Sequence, residues 1–391
     1  MAVDFRFIVI GRGMMGAAAA KYLARQTDGV AVIGPDEPDD RRTHQGVFAS
    51  HYDEGRITRT IDPDRDWALL ANRSISRYDE IARDSAVDFY REIGCVVVAP
   101  DGSDYLERTR QAAVSLGVET SLLDEAGLKA AFPFFAFPDG AAGVFEAKGA
   151  GHISPRSLVK AQSMLAEKAG AAIIRDHVVS IRSEGGSAVV RTAGGRSYRG
   201  EKVLLAAGGF SIAQNLLARP VAMTVYGRTV TLFEVSETDA ARLAAMPSLI
   251  LDVPGIHIYL LPPIRYPDGK FYLKIGGDPD DLALGDEMEM RAWFRTEGRE
   301  TVRAYLERIV EALVPDMAPL SISTAACVVS QTQSGYPMIG YTSSPGIAVL
   351  TGCAGTSAKS SDEIGRLGAE LLLAGRISEQ GYSTDFTPQF R

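Results

Sequence analysis

Apolar residues follow three different rhythms along the chain. The first 36 residues read as strand, glycine turn, helix, strand. Phe5-Arg6-Phe7-Ile8-Val9-Ile10 is strand-like, and the segment from Met14 to Gln26 has a helical face of small residues, Ala17, Ala18 and Ala20, which lets a helix lie close against a sheet. Val30-Ala31-Val32-Ile33 is continuously apolar, as a strand covered on both faces must be. From Pro35 to Gly55 the chain is polar, rich in Asp, Arg and His, and aperiodic; an irregular stretch of that length in a compact domain is usually functional.

The same α/β rhythm returns twice. Ser154-Pro155 supplies an N-cap and a first-turn proline for a helix through about Ala169. Strands are predicted at Ala172–Arg175, Val178–Ser183 and Ala188–Thr192, with Gly185-Gly186 turning between the last two, and a buried strand at 202–209 ends in glycines. Near the C-terminus, Ile347–Thr351 is followed by glycines 352 and 355 and a helix from about Ser360 to Ala374. Between these blocks, from Pro220 to Val329, stretches such as Thr229–Glu234, Ile256–Leu261 and Lys270–Gly276 alternate apolar and polar residues, the mark of an antiparallel sheet with one polar-facing side. The pattern predicts an α/β fold with an α+β second domain. Residues 1–88, 150–215 and 333–391 build a discontinuous Rossmann-like domain, and 89–149 and 216–332 an inserted antiparallel-sheet substrate domain. There is no internal repeat or low-complexity tract.

Composition narrows the function. The 391 residues are 46% hydrophobic and 23% charged, ordinary values for a soluble globular protein, and the length suits two packed domains. Forty-one basic against 49 acidic residues give a net charge of −8 without a dense basic block, which argues against nucleic acid or an anionic membrane as partner. No apolar run approaches the roughly 20 residues of a membrane helix, and the start carries no secretory pattern, so a cytoplasmic protein is expected. Cys95, Cys327 and Cys353 are odd in number and far apart, and the five histidines form no metal-binding pattern; neither a disulfide framework nor a metal site is expected.

The candidate chemistry begins at Gly11-Arg12-Gly13-Met14-Met15-Gly16, a GxGxxG between a strand and a helix. Glycines there allow a tight turn and a close approach of backbone N–H groups to a pyrophosphate at the helix start. Asp36, 20 residues past Gly16, stands where an acid would accept hydrogen bonds from ribose hydroxyls. Nicotinamide enzymes usually complete their nucleotide fold in one continuous block. Here the texture resumes at Leu204–Gly209 and Ile347–Gly355, which favours FAD.

Five stretches, in this order, are similar to the D-amino-acid-oxidase superfamily of flavoenzymes, and within it most to the monomeric sarcosine oxidase and N-methyltryptophan oxidase group. They are Ile8–Gly16, the run from Ser50 to Arg59, Lys274-Ile275-Gly276, Ala325-Ala326-Cys327, and the run from Gly352 to Lys359. The resemblance spans nearly the whole chain. It implies that Arg59 and Lys359 clamp a substrate carboxylate, chemistry that a guanidinium and an ammonium suit. It implies that Arg56 packs over the flavin ring, although Asp53 and Glu54 in its own loop offer it a salt bridge as an equal alternative. It places Lys274 near the flavin to assist oxygen reduction, Tyr259 in the substrate pocket, and His51, Val178, Gly208, Gly352, Gly355 and Thr356 around the cofactor. Cys327 matches the cysteine that joins the flavin covalently in that group; by its surroundings alone it reads as a buried strand residue. The chain departs from the pattern at Cys353, at Thr356, Ser357 and Ala358, at Val329 and at Asp278, where aromatic or imidazole groups are usual. A pocket so reduced points to a longer or differently branched N-substituted amino acid than sarcosine.

The expected activity is therefore oxidation of a small amino-acid-like substrate: hydride transfer to FAD, imine hydrolysis, and reduction of O2 to H2O2, by a monomer or small homo-oligomer. Three alternatives stand beside it: a dehydrogenase of the same fold feeding a carrier or quinone, a non-catalytic FAD-binding subunit, and an NAD-linked dehydrogenase.

Overall fold

The computed structural model describes residues 3–378 and 381–391. Its first sheet has eight strands. Five run parallel side by side: Ile347–Thr351, Ser197–Leu205, Phe5–Ile10, Val30–Ile33 and Ala172–Ile174. The antiparallel hairpin Val178–Glu184 and Ser187–Thr192 extends one side through the early part of Ser197–Leu205, and Met338–Tyr341 pairs with Ile347–Thr351. Three segments far apart in sequence thus close one sheet. Strand Val30–Ile33 is buried at every residue, as its unbroken apolar composition requires.

The helix predicted from Met14 ends earlier than expected, at Ala24 rather than Gln26. Its small face, Ala17 through Ala20, is wholly buried, and helix Ser361–Ala374 crosses it with Gly365 at the contact. A Cβ at Gly365 would lie 2.7 Å from the Met15 carbonyl oxygen and overlap the Ala18 methyl. Helix Pro155–Lys168 starts as predicted, with Ser154 Oγ accepting from the Ser157 N–H.

A second sheet of nine strands holds the alternating region. Its path is Leu282–Leu284, Met223–Val235, Phe271–Gly276, Ile256–Arg265, Ser248–Val253, Cys95–Pro100, Ala141–Glu146 and Ser121–Leu123, with Ser321–Thr332 also paired to Met223–Val235. All pairs are antiparallel except Ser248–Val253 with Cys95–Pro100, which the alternation alone did not reveal. A three-stranded sheet, Arg56–Thr58, Gly151–Ile153 and Tyr90–Glu92, carries the end of the polar loop past the second sheet. Among the described residues no helix is long and apolar enough to cross a membrane, and no group of His, Cys, Asp or Glu could hold a metal ion.

The helix crossing at Gly365 leaves no room for added volume. Gly365→Ala is expected to cost about 1–3 kcal/mol by overpacking, read as a lowered melting temperature with the flavin spectrum as a check on the fold.

Candidate active site

A cavity of about 830 Å³ lies between the first sheet and one face of the second. The first glycine turn, residues 206–209, the polar loop at 47–52, Cys327–Ser330 and residues 353–359 all reach its wall. Helix Met14–Ala24 begins here at Gly13 with no side-chain cap and no acidic residue in its first turn. Its leading N–H groups and its dipole therefore face the cavity uncompensated, which suits a bound anion. Gly11, at φ +105°, would place a Cβ 2.7 Å from the Ala206 carbonyl carbon, and one at Gly16 would overlap the Gly11 carbonyl oxygen. Gly11, Gly13, Met14 and Met15 line the cavity; Gly16 keeps the helix close to the turn from behind.

Two side chains in this cradle hold buried nitrogens without a hydrogen-bond partner among the described residues, His51 Nδ1 and Arg12 Nε. Burial, reinforced by Arg156, Arg12 and Arg56, pushes His51 down to about 3, so its imidazole is neutral and free to accept or donate at that nitrogen. An uncapped helix start, unpaired polar atoms and glycine-only close approaches are what a dinucleotide with its pyrophosphate would complete. The residues present fit FAD.

Four expected site residues lie off the cavity wall. Asp36 is more than half exposed; it accepts a 2.8 Å bond from Arg12 and pairs at 3.1 Å with Arg175. The strand has already ended at Ile33, and Gly34 lines the cavity while Asp36, three residues past the strand end, stands off its wall. Gly352, at φ +72°, packs against Thr332 and turns the chain into the lining segment that includes Gly355 and Thr356. Gly16 is accounted for above. The fourth is Lys274.

Lys274 is completely buried, and its Nζ is spent on the Asp53 carboxylate and on the Gly55 carbonyl at 2.7 Å. Asp53 also pairs with Arg56 and accepts from Tyr266 Oη at 2.8 Å. Burial and the neighbouring Arg56 hold the lysine well below its ordinary value. The lysine expected near the flavin is thus ion-paired to Asp53. Arg56 makes the salt bridge to Asp53 and also lines the cavity, donating to Ser50 O at 3.0 Å and lying 3.7 Å from Cys327 Sγ. Cys327 is part-exposed on strand Ser321–Thr332, unlike Cys95 and Cys353, which are buried and whose thiols burial pushes up to about 12.

Arg59 and Lys359, 300 residues apart, come together at the wall, both nearly inaccessible to solvent. Arg59 follows strand Arg56–Thr58; Lys359 sits in the short turn Ser357–Ser360 that leads into helix Ser361–Ala374. Asp62 lies between them, its Oδ2 3.0 Å from Lys359 Nζ and 3.2 Å from Arg59 Nη1. Burial alone would raise the Asp62 carboxyl, but the two cations carry it below the ordinary range. For Lys359 burial outweighs Asp62 and the value falls. Two cations against one touching carboxylate leave a positive wall in a dry place. Sequence inspection missed Asp62, three residues from the Arg59 it pairs with, a spacing with no motif value in an extended loop; Asp53 was foreseen as a partner for Arg56 but not for Lys274.

Tyr259, Val178 and Gly208 also line the cavity. Tyr259 lies over Gly276, where a Cβ would stand 2.5 Å from its hydroxyl. Val329, Thr356, Ser357 and Ala358 line the cavity with small groups. Asp278 is turned into protein, 3.1 Å from Arg299 and accepting from the Thr229 N–H.

The DAO family model, described as FAD dependent oxidoreductase, matches residues 6–371. The chain is 25% identical over 384 residues to monomeric sarcosine oxidase of Bacillus sp. (strain B-0618), covering 96% of this chain and 94% of that one. It is 27% identical over 208 residues to N-methyl-L-tryptophan oxidase of Yersinia pestis (strain Pestoides F), about half of each. In fold it is similar to NikD, described as an unusual amino acid oxidase essential for nikkomycin biosynthesis, with a TM-score of 0.76 at 18% identity over 100% of this chain and 98% of that one.

Because the Asp36 pairs are exposed and individually weak, Asp36→Asn is expected to leave flavin content per polypeptide within about twofold of the parent. Gly11→Val, which drives a side chain into the Ala206 carbonyl, should abolish it. Absorbance of the purified proteins checks both.

Proposed function

The chain belongs to the FAD dependent oxidoreductase (DAO) family, and from that premise we propose that it oxidises a small N-substituted or related amino acid at the carbon bearing the amine, with O2 accepting the electrons as H2O2. The observation that carries this reading is the buried pair Arg59 and Lys359 on the wall of the same cavity as the dinucleotide cradle. FAD, when bound, supplies a two-electron acceptor for hydride from the amine carbon. The chain supplies placement. Arg59 and Lys359 take the substrate carboxylate, and fixing that end restricts where the amine carbon can lie, which converts binding into rate. Tyr259 and Ile250 on the wall exclude water from the reacting carbon. The amine enters neutral, so no side chain need act as base. The imine formed takes up water to give a carbonyl compound and an amine.

Cys327 is the proposed attachment point for the cofactor through a thioether. Its sulfur is part-exposed on the cavity wall, 3.7 Å from the Arg56 guanidinium and within reach of a cofactor seated there.

One observation favours a second reading, a dehydrogenase serving a carrier or quinone. Lys274 carries its charge into a pair with Asp53, and a neutralised cation stabilises charge developing on oxygen less well than an unpaired one. Stopped-flow reoxidation in air separates the two: fast recovery of oxidised flavin supports the oxidase, and recovery slower than turnover with an artificial acceptor supports the dehydrogenase.

Arg59→Ala is expected to raise KM for carboxylate substrates by on the order of tenfold or more, from loss of a charge-assisted bidentate partner; an unchanged KM in peroxide-coupled assays would remove Arg59 from the site. Acid precipitation of the parent protein should carry yellow flavin down with the polypeptide, and Cys327→Ser should release it to the supernatant. Acetate, which does not titrate in the alkaline range, should bind more weakly as pH rises through the lowered Lys359 value. Its protonated form binds the anion, so affinity is full below that value and falls before the ordinary lysine value of 10.5 is reached. Lys359→Met should erase that alkaline limb in a spectral titration.

A further inference from the structure

The anion that Arg59 and Lys359 share belongs to the protein itself. Resting on the reading that these two cations bind the substrate carboxylate, we propose that Asp62 is a specificity-determining residue that restricts the clamp to ligands carrying one carboxylate. Its side chain cancels one of the two cationic charges at the cavity wall, so a single carboxylate completes the balance, and a second on the same ligand would stand against Asp62 unpaid.

Four features carry this inference. Asp62 lines the cavity together with both cations, so a carboxylate held by them lies close to it. Its Oδ1 accepts from the Asp64 N–H at 3.1 Å, which turns Oδ2 toward the cations. The protein leaves donor capacity open: Arg59 Nη1 is fully buried and, although 3.2 Å from Asp62, has no well-formed hydrogen bond among the described residues. Among the described residues the hydrogen-bond partners of Lys359 Nζ are Asp62 and, at a long 3.5 Å, the Trp67 carbonyl oxygen. Glu146, the next acid in, accepts from the Thr60 and Ile61 N–H groups at 2.8 and 3.0 Å and makes no ion pair with either cation, and burial pushes its carboxyl up, so it offsets them less than Asp62 does. Two like charges a few ångströms apart in a partly buried site repel strongly enough to change affinity on the order of tenfold to a hundredfold. Asp62 is therefore expected to select an amino acid with a neutral or cationic side chain over an acidic one.

The test uses the flavin-loaded protein, with acetate and malonate as probes at a pH where malonate is a dianion, each titrated by the flavin difference spectrum and by calorimetry. Asp62→Asn should lower the malonate Kd relative to the acetate Kd by at least tenfold; a ratio within about twofold of the parent would overturn the proposal. Because the uncompensated pair could impair folding, a second comparison stands beside it. Lys359→Met leaves Arg59 balanced against Asp62 and should weaken acetate. Adding Asp62→Asn to Lys359→Met should restore acetate binding by tenfold or more over Lys359→Met alone, and no restoration overturns the proposal. A purely structural aspartate would not produce that rescue. Acetate binding that survives both Arg59→Ala and Lys359→Met would instead mean that the clamp itself is misassigned.

Discussion

Arg59 and Lys359 are removed from water together, with a single carboxylate touching both, and the rest of the site depends on that arrangement being held. Burying a charge is costly unless it is paired, so two cations with one partner persist only where the fold fixes them. The short sheet that pairs Arg56–Thr58 with Gly151–Ile153 fixes the approach to Arg59. The crossing of helix Ser361–Ala374 over helix Met14–Ala24 fixes Lys359, because the turn bearing it leads directly into that helix. The same crossing seats the glycine turn against Ala206. The anion cradle and the cation pair are thus two ends of one packed unit, and a change that loosens the helix contact disturbs both.

A second charge cluster lies behind the cavity wall at Arg56. Asp53 gathers Lys274, Arg56 and Tyr266 around one carboxylate, leaving Arg56 at the wall beside Cys327 and withdrawing Lys274 behind it. At this point the chain adds an acid to a cationic set, as it does at Asp62. In both places the positive charge available to a ligand is less than the arginines and lysines alone would supply.

Much of this was legible in the sequence, for definite reasons. The GxGxxG turn and its flanking strand and helix were readable because each glycine answers a local steric demand, and the structure shows those demands at Gly11 and Gly16. The small face of the first helix was readable from Ala17, Ala18 and Ala20. For Asp36, counting residues past the last glycine ignores where the strand stops: it ends at Ile33, Gly34 lines the cavity, and Asp36 pairs with Arg12 off its wall. Lys274 was placed on a strand correctly, yet alternation gives only a face and not a partner, and Asp53 is 221 residues away in sequence. The parallel pairing of Ser248–Val253 with Cys95–Pro100 joins two β-rich stretches across the nucleotide-domain block, and no local pattern encodes it. What remained hidden in each case was long-range charge pairing or strand order.

The central claim is that a substrate is positioned by its carboxylate at the buried cation pair. The most direct measurement is an anaerobic titration of the flavin-loaded protein with an N-substituted amino acid and, separately, with the same amine lacking its carboxylate. The account predicts that the amino acid bleaches the flavin absorbance and that the decarboxylated amine does so at least a hundredfold more slowly. Equal bleaching by the two would contradict it.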